Sequence, residues 1–471
     1  MTNSFLACGR LGKTARIAIP FLMAGLTACD SDKLLRVTDP DVARPEALSG
    51  VSAIPTLRAG ALGDFGVSYN GVASDVEQIH LSALLSDEFI NTETFPTRIE
   101  IDQRAMSLTN TSLNGTFYDI NRARASAERA IKAYRAFAKT ATDSAGMPEI
   151  LALNGLAYVF FAENYCGAVP TSTLADDGSF EYGPPLSTTQ MLDSAISKFN
   201  QALQITGTPL TTASKSLAQV GKGRALLDKG DYAAAAAAVA GVSTTFQYNY
   251  THSETSGRQN NGTWALTVSV ARFGVANSEA GVGLPYQSEG NIKQAGGAFD
   301  PRVADSVRGG NGRGFDGTTT QWIQAKYPLR ASVVTVADGV EARLIEAEAA
   351  LAAGNAQGAL DILNTLRSTA ALLSLRGYAA GSLPPLALQA TKDAQVNQLF
   401  KERAYWLFLT SHRLGDLRRL VRQYGRTVNS VFPNGTYFKG GVYGTDVALP
   451  VPQSEQNNPN YTPGSCKQDV A

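Results

Sequence analysis

Three histidines, His80, His252 and His412, are the only imidazoles in 471 residues, and they stand in three unrelated contexts. Catalytic zinc needs ligands at set spacing, as in HExxH, and structural zinc needs paired cysteines; neither pattern occurs, so no metal site is expected. A GxSxG nucleophile elbow and a Walker A loop are also missing. The run Gly309-Gly310-Asn311-Gly312-Arg313-Gly314 departs from GxGxxG and reads as a flexible basic loop. Asp87-Glu88 and Asp176-Asp177 are acidic groupings that a glycosidase pair could draw on. Sequence leaves their separation in space open, and helix caps or solvated loops account for them as simply. No catalytic machinery and no cofactor follow from these residues, and the expectation is a protein that is not an enzyme.

The cysteines say more. Arg10, Lys13 and Arg16 form a basic stretch before an apolar run from Ile17 to Leu26, too short for the roughly 20 residues that span a bilayer. Leu26-Thr27-Ala28 then stands directly before Cys29. Basic residues, a short apolar core and small residues form a secretory signal, and the cysteine after them resembles a bacterial lipobox. Residues 1–28 are therefore expected to be a leader and Cys29 a lipidated residue that anchors the chain to a membrane. The alternative is an ordinary leader with a chance cysteine. Asp30 would hold a lipoprotein in the inner membrane of some bacteria, a sorting rule that is not general. With Cys8 in the leader and Cys29 acylated, Cys166 and Cys466 remain, and an oxidising compartment favours their disulfide. It would pin the C-terminal tail to the end of an early helix.

Charged residues make up 17% of the chain, below the roughly 25% of ordinary soluble domains. Lys plus Arg equals Asp plus Glu at 41 each, and no basic stripe is visible, which argues against a nucleic-acid partner. No apolar stretch after the leader is long enough for a membrane span.

The elements that must position any site read as helices. Ile120, Ala123, Ala127, Ala130, Ile131 and Tyr134 recur at helical spacing, as do Leu153, Leu156, Ala157, Phe160 and Phe161. Leu192, Ile196, Phe199 and Leu203 follow, closed by Gly207 and Pro209, and each segment is read as an amphipathic helix with one buried face. An internal repeat then matches Ala225, Leu227, Gly230, Asp231, Ala235 and Val239 with Ala349, Leu351, Gly354, Asn355, Ala359 and Leu363 at constant offset. Both copies read helix, Gly-Asp or Gly-Asn turn, helix, and resemble tetratricopeptide units. The expected fold class is mainly α: tetratricopeptide-like helix pairs form a scaffold over about 117–240 and 337–424. Few short strands are expected, Trp264 to Val268 among them. Regions of about 50–116 and 241–336 read as loop-rich, and 425–471 as an extended, proline-bearing tail. From 29 to 471 the chain is expected to be one domain.

Four segments then carry a resemblance, in order along the chain. Leu35-Arg36-Val37-Thr38-Asp39-Pro40 opens it, Asp300-Pro301-Arg302 stands mid-chain, and Lys401 to Arg419 follows. Leu449-Pro450-Val451-Pro452-Gln453-Ser454-Glu455 with Asn458-Pro459-Asn460-Tyr461 closes it. Together they resemble the SusD/RagB-like family of nutrient-binding lipoproteins. Thr410-Ser411 departs from the family's usual Glu-Gly, which puts any ion pair of that glutamate in doubt. Arg413, Asp416, Arg418 and Arg419 are read as architecture, joining scaffold to tail, at spacings that allow i,i+3 pairing.

The resemblance implies a lipid-anchored, surface-exposed outer-membrane protein that captures a glycan or other nutrient. It would pass that ligand to a SusC-like TonB-dependent barrel. Sugars offer apolar CH faces and a rim of hydroxyls, so such a site stacks rings on aromatic planes beside a few polar groups. The implied ligand-binding candidates are Phe95, Tyr248, Tyr250, Trp264, Tyr286, Phe315 and Trp322, with Arg98, Asn261 and Gln321 as polar partners. Trp264 and Trp322 lead this set; the competing role for each tryptophan is packing of loop on helix. Two other functions stay open: a periplasmic tetratricopeptide scaffold for protein partners, and a polysaccharide-active enzyme.

Overall fold

The computed structural model describes residues 49–471, apart from Ser74, 176–178, 206–210, 279–282 and 294–298. The leader, Cys29, Asp30 and the opening segment 35–40 lie outside the described residues, as do Asp176-Asp177 and the stop at Gly207 and Pro209.

The helix Thr111–Phe137 forms where the apolar period predicts it. Asn110 caps its start, its side chain accepting from the amides of Ser112 and Leu113 at 3.0 and 3.2 Å. Leu113, Phe117, Ile120, Ala123, Ala127, Ala130 and Ile131 make one buried stripe, which lies along the helix Ala53–Asn70. The helix Met147–Asn164 differs from expectation. All of its 18 residues except Glu149 are buried, so it has no solvent face. It is surrounded by Thr111–Phe137, Thr188–Gln204 and Thr212–Asp228, and an apolar sequence on every side is what such an axial position requires.

The repeat is two helix pairs, Thr212–Asp228 with Tyr232–Val239 and Gly339–Ala352 with Ala356–Ser368. Gly230 and Gly354 take φ of +80° and +84°, a region that costs an L side chain about 1 kcal/mol. Asp231 and Asn355 then accept from the amides of Ala234 and Gly358 at 3.2 and 2.9 Å, capping the second helix of each pair. The two pairs, remote in sequence, pack against each other through Gly339–Ala352 and Tyr232–Val239.

Two readings need correction. The region 50–116 is mostly helical, holding Ala53–Asn70, Gln78–Leu85, Pro96–Asp102 and the first turn of Thr111–Phe137. Trp264 to Val268 is also helical, a short turn over Gly262–Trp264 running into a wider one over Ala265–Ser269. Asn261 accepts from the Trp264 amide at 2.8 Å, and this cap overrides the strand preference of the residues that follow. Among the described residues, strands pair in five two-stranded antiparallel ribbons. Phe89–Asn91 with Phe273–Val275 and Asp305–Val307 with Trp322–Gln324 matter most for the site.

The motif residues form a buried ion network. Arg302 grips Glu402 at 2.7 and 3.0 Å, and Arg367 reaches the same carboxylate at 2.7 Å. Arg403 and Arg419 converge on Asp416, and Arg413 forks onto Asp87 at 2.6 and 2.8 Å. Burial alone would raise the Asp416 carboxyl, but Arg403 and Arg419 hold it well below the usual carboxylate range. Arg418 donates to the carbonyls of Ala162, Glu163 and Tyr165 at the end of the axial helix. Ser411 sits at φ +60°, a region that favours glycine, and its hydroxyl accepts from Gln78 at 2.9 Å. Thr410, at the other departing position, makes no ion pair; its hydroxyl donates to the Leu407 carbonyl at 2.5 Å.

Cys166 and Cys466 form a disulfide with Cα atoms 5.1 Å apart. Beside it the Leu449 amide donates to the Asn164 carbonyl at 2.7 Å, and the Cys166 amide to the Leu449 carbonyl at 3.0 Å. The tail is thus fastened where the axial helix ends.

Candidate functional site

Exposed aromatics from two remote segments meet at one place, and the tail brings a third nearby through Lys439. Phe95 stands at the N-terminus of Pro96–Asp102, Phe315 at the tip of the loop after the glycine run, and Phe438 in the tail. Their exposures are 45, 51 and 44%, far above a packed ring. The Arg272 guanidinium carbon lies 4.7 Å from the Phe95 ring centroid and 4.4 Å from that of Phe315. Arg98 approaches the same Phe95 ring at 5.3 Å, and Lys439 lies 5.8 Å from the Phe438 ring.

Backbone and buried acids hold this cluster in place. Phe315 donates its amide to the Ala271 carbonyl at 2.8 Å, and Asp316 to that of Thr92 at 2.9 Å. At Gly314 a Cβ would fall 2.5 Å from that of Thr92, so glycine is what lets the loop lie this close. Glu93, wholly buried, accepts from Arg98 at 3.1 Å and from Arg272 at 2.6 Å. Lys439 donates to the Glu93 carbonyl at 2.7 Å and to Asp316 at 2.6 Å. Asp316 also accepts from the Thr318 and Thr319 amides and the Thr319 hydroxyl. Against the upward push of burial, Lys439 and these donors hold its carboxyl well below the usual range.

Phe95, Arg98 and Phe315 are thus brought together, with Arg272, Phe438 and Lys439, which sequence reasoning missed. Phe438 and Lys439 lie in a tail read only as extended, and Arg272 in a block read as loop. The signal that could have pointed this way is the glycine run leading into Phe315, which sequence reading took only as a flexible loop.

Other candidates serve elsewhere. Tyr286 is a correction: it is wholly buried, its ring 5.1 Å from Phe408 and 5.5 Å from Tyr405, so it packs the core and offers no face to a ligand. Asn261 and Gln321 are buried too. Asn261 caps its helix and donates to the Ser332 carbonyl; Gln321 donates to the carbonyls of Thr267 and Phe273 and accepts from Thr92. Trp264 is half-buried beneath Arg330, whose guanidinium carbon is 5.3 Å from its ring. Trp322, half-buried, pairs with Val307 across its ribbon and packs on the core. Tyr248 donates to Glu149 at 2.8 Å, and Tyr250 meets His252 edge-on.

His80 is wholly buried against Thr263, and burial lowers its imidazole to about 3, which keeps it neutral. Among the described residues no group of three or more His, Cys, Asp or Glu is placed to hold a metal. None of their helices is long and apolar enough to cross a membrane. What the ring cluster can do chemically is hold a flat, polar-edged molecule between aromatic planes and fixed cations.

Neither a family model nor a curated protein matches the chain. Solved structures do. A SusD superfamily protein from Bacteroides vulgatus is 15% identical, with a TM-score of 0.60 over 89% of this chain and 99% of its own. A SusD-like carbohydrate binding protein from Bacteroides fragilis is 16% identical, with a TM-score of 0.59 over 87% and 99%. A SusD-like carbohydrate binding protein from Bacteroides vulgatus is 14% identical, with a TM-score of 0.56 over 78% and 83%. The chain thus has the mainly helical SusD-like fold.

Proposed function

We propose that this chain is a glycan-binding, lipid-anchored protein of the outer-membrane surface that delivers its ligand to a SusC-like TonB-dependent barrel. The observation that carries the binding part is the ring cluster: Phe95, Phe315 and Phe438 half-exposed around Arg98, Arg272 and Lys439. Rings held open to solvent by hydrogen-bonded cations cost stability unless something covers them, and a sugar's CH face fits that need. Two of the structural relatives are described as carbohydrate binding proteins, which supports the same ligand class. The anchor rests on Cys29 and the leader before it, and the barrel partner on the SusD-like fold.

Binding is tested by affinity electrophoresis of the purified chain against a panel of soluble polysaccharides. At least one is expected to retard the wild type, and Phe95→Ala or Phe315→Ala to weaken that binding about tenfold. Unchanged retardation in both variants would falsify the site. Display is tested by adding protease to intact cells: digestion is expected, and full protection would place the chain inside the envelope.

A further inference from the structure

Asn114, Tyr118 and Asn121 follow one another at i, i+4 and i+7 on the helix Thr111–Phe137, so they share one of its faces. The short turn Gln453–Asn457 of the tail brings Ser454 and Glu455 against that face, and Ser172 joins them from the loop after Val169–Pro170. Together they line a cavity of about 490 Å³ that shares no residue with the ring cluster. Pockets that hold small ligands run to roughly 300–1,000 Å³, so this one is large enough for a sugar unit.

Three observations mark the cleft as more than a surface dip. Tyr118 is 61% exposed, more than Phe95, Phe315 or Phe438. Arg122 lies 5.6 Å from its ring centroid and is itself held by Asp64 and Asp119 at 3.1 and 3.0 Å, so the ring has a fixed neighbour. Glu455 is half-buried, yet its carboxylate has no hydrogen bond and no salt bridge among the described residues, and burial raises its carboxyl above the ordinary value. At Gly115, which also lines the cavity, a Cβ would meet nothing within 4 Å. No packing contact calls for glycine there, although glycine weakens a helix interior, and close approach of a ligand to the backbone is a reason to keep it. The amide of Asn114 completes the set. Its oxygen accepts from the Ser454 hydroxyl at 3.0 Å, while its nitrogen has no acceptor among the described residues.

We propose that this cleft is a second saccharide site, separate from the ring cluster, and that it takes a neutral sugar unit. The sugar's CH face stacks on Tyr118, two adjacent hydroxyls donate to the Glu455 carboxylate, and a further oxygen accepts from the Asn114 amide. The proposal shares the saccharide reading of the chain but does not need the ring cluster to bind.

Affinity electrophoresis against starch, xylan, laminarin, galactomannan and pectic galactan tests it on the wild type, Phe95→Ala, Phe315→Ala, Tyr118→Ala, Glu455→Gln and Gly115→Leu. Hexalysine is titrated by calorimetry in parallel. At least one polymer is expected to bind, and Tyr118→Ala and Glu455→Gln each to weaken it about tenfold, the size of a lost ring contact or of one charged hydrogen bond. Gly115→Leu fills the cleft with a better helix former, so its melting temperature should match or exceed that of the wild type while binding falls likewise. It keeps the test sound if another variant fails to fold. Weakening by the cleft variants but not by Phe95→Ala or Phe315→Ala upholds this site and overturns the ring cluster. Weakening by both sets upholds both sites. Weakening by the ring variants alone overturns the cleft and leaves the ring cluster standing. A polymer that binds regardless of every substitution overturns it as well, as does no polymer binding at all. Hexalysine binding through Glu455 in place of any polymer would make the cleft a cation site and overturn the saccharide assignment.

Discussion

Asp305 is wholly buried on its ribbon, and among the described residues neither carboxylate oxygen finds a hydrogen-bond donor. Burial pushes its carboxyl up from 3.8 to about 8, so the folded chain keeps a proton there that the unfolded chain has released at neutral pH. A raised folded value means stability that is fully present below 3.8 and is lost as pH climbs toward 8. Asp305→Asn keeps the shape and removes the titration. Its stability relative to wild type should therefore rise by about 1 kcal/mol per pH unit between pH 5 and 8. Urea melts at both ends of that window decide it, and parallel behaviour of the two proteins would refute the buried proton. His80 works in the other direction at lower pH. Its folded value of about 3 gives stability that is present above 6.5 and lost as pH falls through the acid range.

At the scale of elements, the caps and the ion network carry distinct weights. Asn355→Ala removes the side chain that satisfies the Gly358 amide and should cost about 1 kcal/mol, read from the midpoint of denaturant unfolding. Glu402→Ala is a larger change. It strips the acid that both Arg302 and Arg367 hold, leaving two buried guanidiniums underpaired, and should cost about 3 kcal/mol or more by the same measurement. Asp300 still reaches Arg302 at 2.7 and 3.0 Å, which argues for the lower end of the range for buried pairs. A loss as small as that of Asn355→Ala would mean that Asp300 alone satisfies Arg302. The motif charges are therefore scaffold, joining the mid-chain turn and the two C-terminal helices to the axial helix.

For the molecule as a whole, the disulfide closes a loop of 300 residues between the axial helix and the tail. In the chain-entropy model a loop of that length stabilises by roughly 5–6 kcal/mol. The Leu449 hydrogen bonds and those that Asp446 of the tail accepts from Arg104 and Met106 persist without it. Cys166→Ala/Cys466→Ala should thus fold with its tail in place but melt several degrees lower than the oxidised wild type. Adding reductant should move the wild type toward the variant; identical melting curves throughout would show that the bridge adds nothing.

The sequence by itself determined the helices of the scaffold over about 117–240 and 337–424 and how the motifs follow one another, but not the helices of 50–116. The stripe from Ile120 to Tyr134, the Gly-Asp and Gly-Asn turns, and the Asp300 and Glu402 segments are local patterns whose period and capping chemistry act within a few residues. The helical turn at Trp264 was hidden, because a single cap overrode the propensity of the residues after it. The axial helix looked amphipathic because periodicity reports one apolar face and does not show that the other is covered as well. Only the tertiary structure decided the site. Phe95, Arg272, Phe315 and Phe438 come from segments far apart in the chain, and nothing in their spacing sets them side by side. The same burial took Tyr286 into the core and left Phe315 in solvent, a choice made by packing around each ring and invisible in residue type alone.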